Sequence, residues 1–297
     1  MKVKTRQVPE GIDSSVLRRI EKDVKLALMS VRTKGDSFII NDTVWLSNQE
    51  ARKSPNPCVV NSAKFITKKF QDKLVELGWE KEKTLKDQRI DGYVEIETGT
   101  SCNLTKDRLT KVYESLTARG SEEELDKVFS TLYQMYVKRK CFNINHLPSE
   151  VESYFQESSV ARSIRIGLEF ETGNIASSFR SLSKLYSIYR FNLIDAGVFI
   201  TSADKGSVAA RIWPASNRNG SFEELDKRDY KRNVLFPLWE FSFAPDGVSK
   251  DADYLGSNAQ LYKILDTGKS EEISGRTYGV FIGEKKRKLL KPKPSNG

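Results

Sequence analysis

Histidine is nearly missing: His146 is the only one in 297 residues. A cluster of imidazoles cannot form within one chain, so histidine-based zinc hydrolysis and His-driven acid–base chemistry are disfavoured. Cysteine is scarce as well. Cys58, Cys102 and Cys141 are odd in number and widely spaced, which fits neither a disulfide framework nor a Cys-rich zinc site. No apolar run reaches membrane-spanning length and no apolar leader opens the chain, so the expected setting is the reducing cytoplasm without a membrane partner. P-loop, dinucleotide-binding and nucleophile-elbow patterns are also lacking. Gly99 to Cys102 is not a glycine-rich turn from a strand into a nucleotide-binding helix.

Charge is abundant. Lys and Arg total 49 against 40 Asp and Glu, a formal net charge of +9. That balance suits a polyanionic partner. With 38% hydrophobic residues, the length supports one large domain over residues 1–297, or a core carrying a sizeable insertion.

The most informative stretch is Ile164 to Arg190. Ile164, Ile166, Leu168 and Phe170 alternate with Arg165, Gly167, Glu169 and Glu171. A period of two predicts a half-buried strand with Glu169 and Glu171 on the face opposite the apolar residues. After Gly173 and Asn174 the period becomes helical, with Phe179, Leu182, Leu185, Tyr186 and Tyr189 on one side. A second strand is expected over 196–200. Two carboxylates on one strand face repel each other unless they are solvated or share a cation. Magnesium takes oxygen ligands and needs only one or two protein carboxylates beside a phosphate.

Around this unit, helices are expected over 14–31, capped by Asp13, Ser14 or Ser15, and over 62–77, ended by Gly78. Residues 37–45 read as a strand or hairpin around Asn41 and Asp42. Short strands are expected over 93–97, 262–265 and 277–282, and a buried one over 234–243. Residues 100–145 hold two helical patterns, expected as an inserted hairpin. Residues 1–10 are expected to fray. Residues 284–297, with six Lys or Arg between Lys285 and Lys293, are expected as a basic C-terminal arm.

The run GLEFETGNIASSFRSLSKL resembles the catalytic stretch of the BamHI-type restriction endonucleases, members of the PD-(D/E)xK nuclease superfamily. SFIINDT (37–43), the Trp79 and Lys81–Lys83 segment, NLIDAGVFI (192–200) and SFEEL (221–225) are similar to further parts in the same order. The resemblance covers roughly residues 15–98 and 145–240.

It implies an α/β fold with a restriction-endonuclease-like core: a central mixed sheet of five to six strands, flanked by helices, with the helical segment inserted. It also implies a type II site-specific deoxyribonuclease. Such an enzyme acts as a homodimer on palindromic double-stranded DNA, uses one or two Mg2+ per site and leaves 5′-phosphates. A cognate DNA methyltransferase would act on the same sequence without needing to bind the nuclease. Two alternatives share the active-site face: a repair or recombination nuclease, and a DNA-binding protein whose catalysis has decayed.

By the same resemblance Glu169 and the Phe170 carbonyl are metal ligands. Glu171 stands where the family member has its general base and most relatives have lysine. Glu82 is a further acidic residue near the metal. The other metal ligand is Glu150 in Pro148-Ser149-Glu150, the preferred candidate, or Asp91 in Arg89-Ile90-Asp91-Gly92. Asn174, Ala176, Ser177 and Arg180 match positions that face bases or phosphates, and Asn217 and Arg218 match a pair that reads the major groove. Ala176 stands where the relative has a hydroxyl residue, and Asn217 where it has aspartate, so the target sequence is expected to differ.

Overall fold

The computed structural model describes residues 1–9, 12–48, 54–98, 101–102, 114, 157–158, 162–172, 175–203, 220–230 and 236–294. In chain order its principal elements are β1 (Lys2–Gln7), α1 (Ser14–Met29), β2 (Trp45–Ser47), β3 (Asn56–Cys58), α2 (Ala63–Glu76), β4 (Glu80–Lys81), β5 (Gly92–Thr98), β6 (Arg162–Glu171), α3 (Ile175–Arg190), β7 (Ala196–Ser202), α4 (Phe222–Asp226), β8 (Leu238–Ala244), β9 (Leu265–Ile273), β10 (Arg276–Ile282) and β11 (Lys288–Pro292). The expected inserted helical segment, 100–145, lies almost wholly outside the described residues.

Six strands form the central sheet in the order β1-β8-β7-β6-β5-β4. β6, β7 and β8 run parallel, while β1, β5 and β4 pair antiparallel with their neighbours. The sheet is therefore mixed, as the family resemblance implies. Parallel strands need a crossover between them, and α3 supplies it from β6 to β7.

Alternation along the strands sorts the two faces. Ile164, Ile166, Leu168 and Phe170 join Ala196, Val198, Ile200, Trp239, Phe241 and Phe243 in a core under α1 and α2. Those helices contribute Val16, Ile20, Val24 and Leu28, and Phe65, Ile66, Phe70 and Leu74, at helical spacing. Asp13 caps α1 by accepting from Ser15 N at 2.7 Å, and Ser62 caps α2 by accepting from Lys64 N at 3.3 Å. Just past the end of α2, Gly78 takes the left-handed conformation (φ 89°) that glycine tolerates at no steric cost.

The opposite face carries the polar residues of β6, and α3 covers it. Leu182, Leu185 and Ile188 of α3 pack with Tyr93, Phe199 and Leu238 of the sheet and with Phe222 and Leu225 of α4. At Gly167 an added Cβ would stand 3.1 Å from Ile194 Cδ1 and 3.3 Å from Ile90 Cδ1, so glycine lets these side chains close over the strand. The α3–β7 turn is tied to β6 by charge: Arg165 Nε and Nη2 each donate to an Asp195 oxygen at 3.1 Å, and Arg165 N donates to Asp195 Oδ2 at 3.0 Å.

Two sequence expectations need correction. Residues 1–10 do not simply fray, because Lys2–Gln7 is an edge strand paired with β8. The C-terminal stretch is not a free basic arm, since Lys288–Pro292 pairs with β10 and touches β2. Leu289 and Leu290 are fully buried there, which anchors the strand despite its lysines. Residues 37–45 hold the expected strand, Ile39–Ile40, paired with Gly247–Val248, and Asn41 follows it. Asn41 is buried, and its amide donates to Lys250 O and Ala252 O at 2.8 and 2.6 Å.

β9, β10, β11, β2 and β3 form a second, five-stranded sheet. Trp45, Tyr254 and Leu289 make its small core, and Trp45 Nε1 donates to Tyr254 Oη at 2.8 Å.

Candidate active site

The site lies where the chain entering β5 meets β6 beneath α3. Asp91 immediately precedes β5. Its amide donates to Leu168 O at 3.1 Å, and its Oδ2 accepts from Phe170 N at 2.8 Å. These two bonds hold the Asp91 carboxylate beside Glu169, although 79 positions separate Asp91 from Phe170 in the chain. Phe170 itself points to the other side of the sheet, stacked between Phe70 and Phe243 at 4.7 and 5.2 Å.

Glu169 faces α3 and is 3% exposed. The sequence predicts its face correctly, but the face is covered and not solvated. Lys184 of α3 brings its ammonium to 2.6 Å from Glu169 Oε1 and also donates to Arg89 O at 2.7 Å. The first contact is a close ion pair at a buried carboxylate oxygen. One turn earlier on α3, Ser181 Oγ donates to Glu171 Oε2 at 3.1 Å.

Glu82 follows β4 in the left-handed region, with φ 55°. A non-glycine residue there costs about 1–2 kcal/mol. Its amide donates to Asp91 O at 3.2 Å, and its half-exposed carboxylate pairs with Arg89. Glu82 thus stands at the rim, near Asp91 and open to solvent.

The electrostatics follow from this crowding. Burial, then the neighbouring Asp91, push the Glu169 carboxyl up to about 8, with Lys184 pulling the other way. Burial raises Asp91 too, opposed by the Phe170 amide and Lys184, with Glu171 and Glu82 adding to the rise. Asp91, Glu169 and Glu171 together outweigh the positive charge that Lys184 supplies. A proton or a further cation would balance the site.

The donor set is hard oxygen, the kind that magnesium prefers, and Glu169 Oε1 already holds a cation, the Lys184 ammonium. The residues therefore fit a divalent metal. Among the described residues, no three acidic, His or Cys side chains are drawn together tightly enough to grip one as they stand.

Other sequence candidates are distributed unevenly. Glu150, Asn174, Asn217 and Arg218 lie outside the described residues. Ala176 and Arg180 are exposed and Ser177 is half-buried in the first turns of α3. Arg180 Nη2 stands 3.4 Å from Ser177 Oγ, so the two form one polar patch.

Sequence reading passed over Lys184 and Ser181. A signal was present: Ser178 and Ser181 fall among the inward positions of α3, with Ile175, Leu182 and Leu185. Hydroxyls on an apolar helix face need partners.

The sequence profile of the family described as Restriction endonuclease BamHI matches residues 1–243. The chain belongs to this family. Membership places it in the PD-(D/E)xK nuclease superfamily, whose members use divalent cations. No curated protein matches the chain significantly. The BamHI-family match stops within β8, so the β9–β11 part of the second sheet lies beyond it.

Proposed function

We propose that the protein is a type II restriction endonuclease: a magnesium-dependent, site-specific deoxyribonuclease that acts as a homodimer on palindromic double-stranded DNA in the cytoplasm. The carrying observation is Asp91 held against β6 next to the buried Glu169, in a chain of the BamHI family. The cut would leave 5′-phosphates on 5′ overhangs, with a cognate methyltransferase protecting the same sequence. No helix among the described residues is long and apolar enough to cross a membrane.

Asp91 takes the place of the first metal ligand in this reading, ahead of Glu150. Asp91, Glu169 and the Phe170 carbonyl would hold one or two Mg2+. When bound, the metal would polarise the scissile phosphate and stabilise the charge that builds on it. Glu171, oriented by the Ser181 hydroxyl, orients the attacking water and accepts its proton. The water oxygen bonds to phosphorus as the bond to the 3′ oxygen breaks. That oxygen takes a proton from solvent and leaves as the 3′ hydroxyl, and the 5′ phosphate stays on the other fragment. A carboxylate is a weak base, so orientation is the larger part of its contribution.

The start of α3 would face DNA. Ser177 and Arg180 are suited to phosphate contacts, which set affinity and its salt dependence. Asn174, Ala176, Asn217 and Arg218 are assigned to the reading surface, with Arg218 as the bidentate guanine reader.

The test is digestion of plasmid DNA of known sequence with purified protein and MgCl2, followed by sequencing of the fragment ends. Discrete fragments with uniform 5′-phosphate ends are expected. A smear would instead favour a nuclease without strict site specificity. Duplex binding without nicking would favour a decayed enzyme.

A further inference from the structure

Among the described residues, Lys184 sets its ammonium against the buried Glu169, and the family resemblance gave it no role. Two contacts hold its ammonium. The ammonium is 2.6 Å from Glu169 Oε1, and it also bonds Arg89 O, in the segment leading to Asp91. The Lys184 side chain is 26% exposed and that of Glu169 is 4% exposed, so bulk water screens the pair only partly. A contact of this kind is electrostatic and has weak directional preference, so a better-coordinating cation can replace it.

We propose that Lys184 is a built-in counter-cation that occupies the Glu169 side of the metal site and must yield Glu169 when a divalent cation enters. This rests on the proposed metal-dependent reading of the site. Lys184 is then a positioning residue: it keeps buried Glu169 in place before metal arrives and sets how tightly metal binds. Its bond to Arg89 O is independent of Glu169. The side chain can therefore release the carboxylate while remaining tethered at the rim.

Two effects follow from elementary electrostatics. A lysine charge held beside a divalent cation repels it, and a lysine bound to the same oxygen competes with it. Removing the charge should therefore tighten metal binding even as it destabilises the metal-free protein. A purely structural lysine would do the reverse: its loss would loosen the site and weaken metal binding.

The experiment is titration of the full-length protein with MnCl2 in the absence of DNA. Free Mn2+ is read by its electron paramagnetic resonance signal, for wild type, Lys184→Met and Lys184→Arg. Thermal unfolding is recorded in EDTA and in MnCl2. The expectation is on the order of tenfold tighter Mn2+ binding by Lys184→Met, the equivalent of about 1.4 kcal/mol, and wild-type-like binding by Lys184→Arg. The Mn2+-induced rise in melting temperature should be larger for Lys184→Met than for wild type. Equal or weaker Mn2+ binding by Lys184→Met would overturn the counter-cation role while leaving the metal site intact. If neither protein bound Mn2+ at millimolar concentration, the metal site and this inference would fall together. If Lys184→Met does not fold in EDTA, folding restored by MnCl2 supports the proposal, and failure to fold in both overturns it.

Discussion

The backbone amide of Phe170 donates to Asp91 Oδ2 at 2.8 Å. That bond fixes one acidic side chain to the strand that carries the other. It sets Asp91 beside Glu169, against the same stretch of β6.

Asp91→Asn and Glu150→Gln should therefore separate cleanly. Asp91→Asn keeps an oxygen for the Phe170 amide but loses a metal-binding charge. Single-turnover cleavage should fall by about a thousandfold, as expected for removal of several kcal/mol of transition-state stabilisation. Glu150→Gln should stay within a few-fold of wild type. The reverse ranking would return the ligand role to Glu150.

Glu171 is tied to Ser181 at 3.1 Å. Ser181→Ala should slow single-turnover cleavage by about tenfold or less, matching one hydrogen bond of about 1 kcal/mol. Glu171→Ala should cost far more and alter the pH–rate profile. An unchanged rate and profile in both Glu171→Ala and Glu171→Lys would exclude a part for Glu171 in handling the water.

Glu169 makes the metal-free protein sensitive to pH. Its carboxyl is raised from 4.5 to about 8 by burial and by Asp91. Between these values the folded state holds a proton that the unfolded chain has released, and the Lys184–Glu169 ion pair is complete only above them. Stability from this source is complete below pH 4.5 and is lost as pH rises towards 8. The slope has a ceiling of about 1.4 kcal/mol per pH unit. In EDTA, urea unfolding of wild type between pH 5 and 8 should show this decline relative to Glu169→Gln. Parallel curves for the two proteins would contradict it.

The Arg165–Asp195 pair has side-chain exposures of 22% and 4% and two aligned bonds. Asp195→Asn leaves a partly buried guanidinium without its charge partner. It should destabilise the fold by about 2–4 kcal/mol, seen as a lower urea midpoint at unchanged slope. A loss below 0.5 kcal/mol would mean that the turn is held by packing alone.

β11 should behave as structure and not as a tail. Leu290 is fully buried, so Leu290→Ala should cost about 2–4 kcal/mol by the removal of core volume. Neutralising exposed Lys291 to Ala should leave stability within about 0.5 kcal/mol. Equal melting temperatures for Leu290→Ala and wild type would restore the free-arm description.

Local pattern alone determined much of this protein. The alternation from Ile164 to Glu171 set a strand and its two faces, the three-and-four spacing from Ile175 set the crossover helix, and the motif on both pointed to the nuclease family. These are short-range properties, written in side-chain period and steric preference. Tertiary structure decided the rest. Asp91 and Glu169 become neighbours only through antiparallel pairing of β5 with β6, because hydrogen-bond register between distant strands is invisible to periodicity. Lys184 acquires meaning only when α3 folds back over β6 and places its ammonium on a buried carboxylate. Lys2–Gln7 and Lys288–Pro292 read as solvated basic segments, yet both are strands. Long-range pairing and two buried leucines outweigh a local composition that favours water.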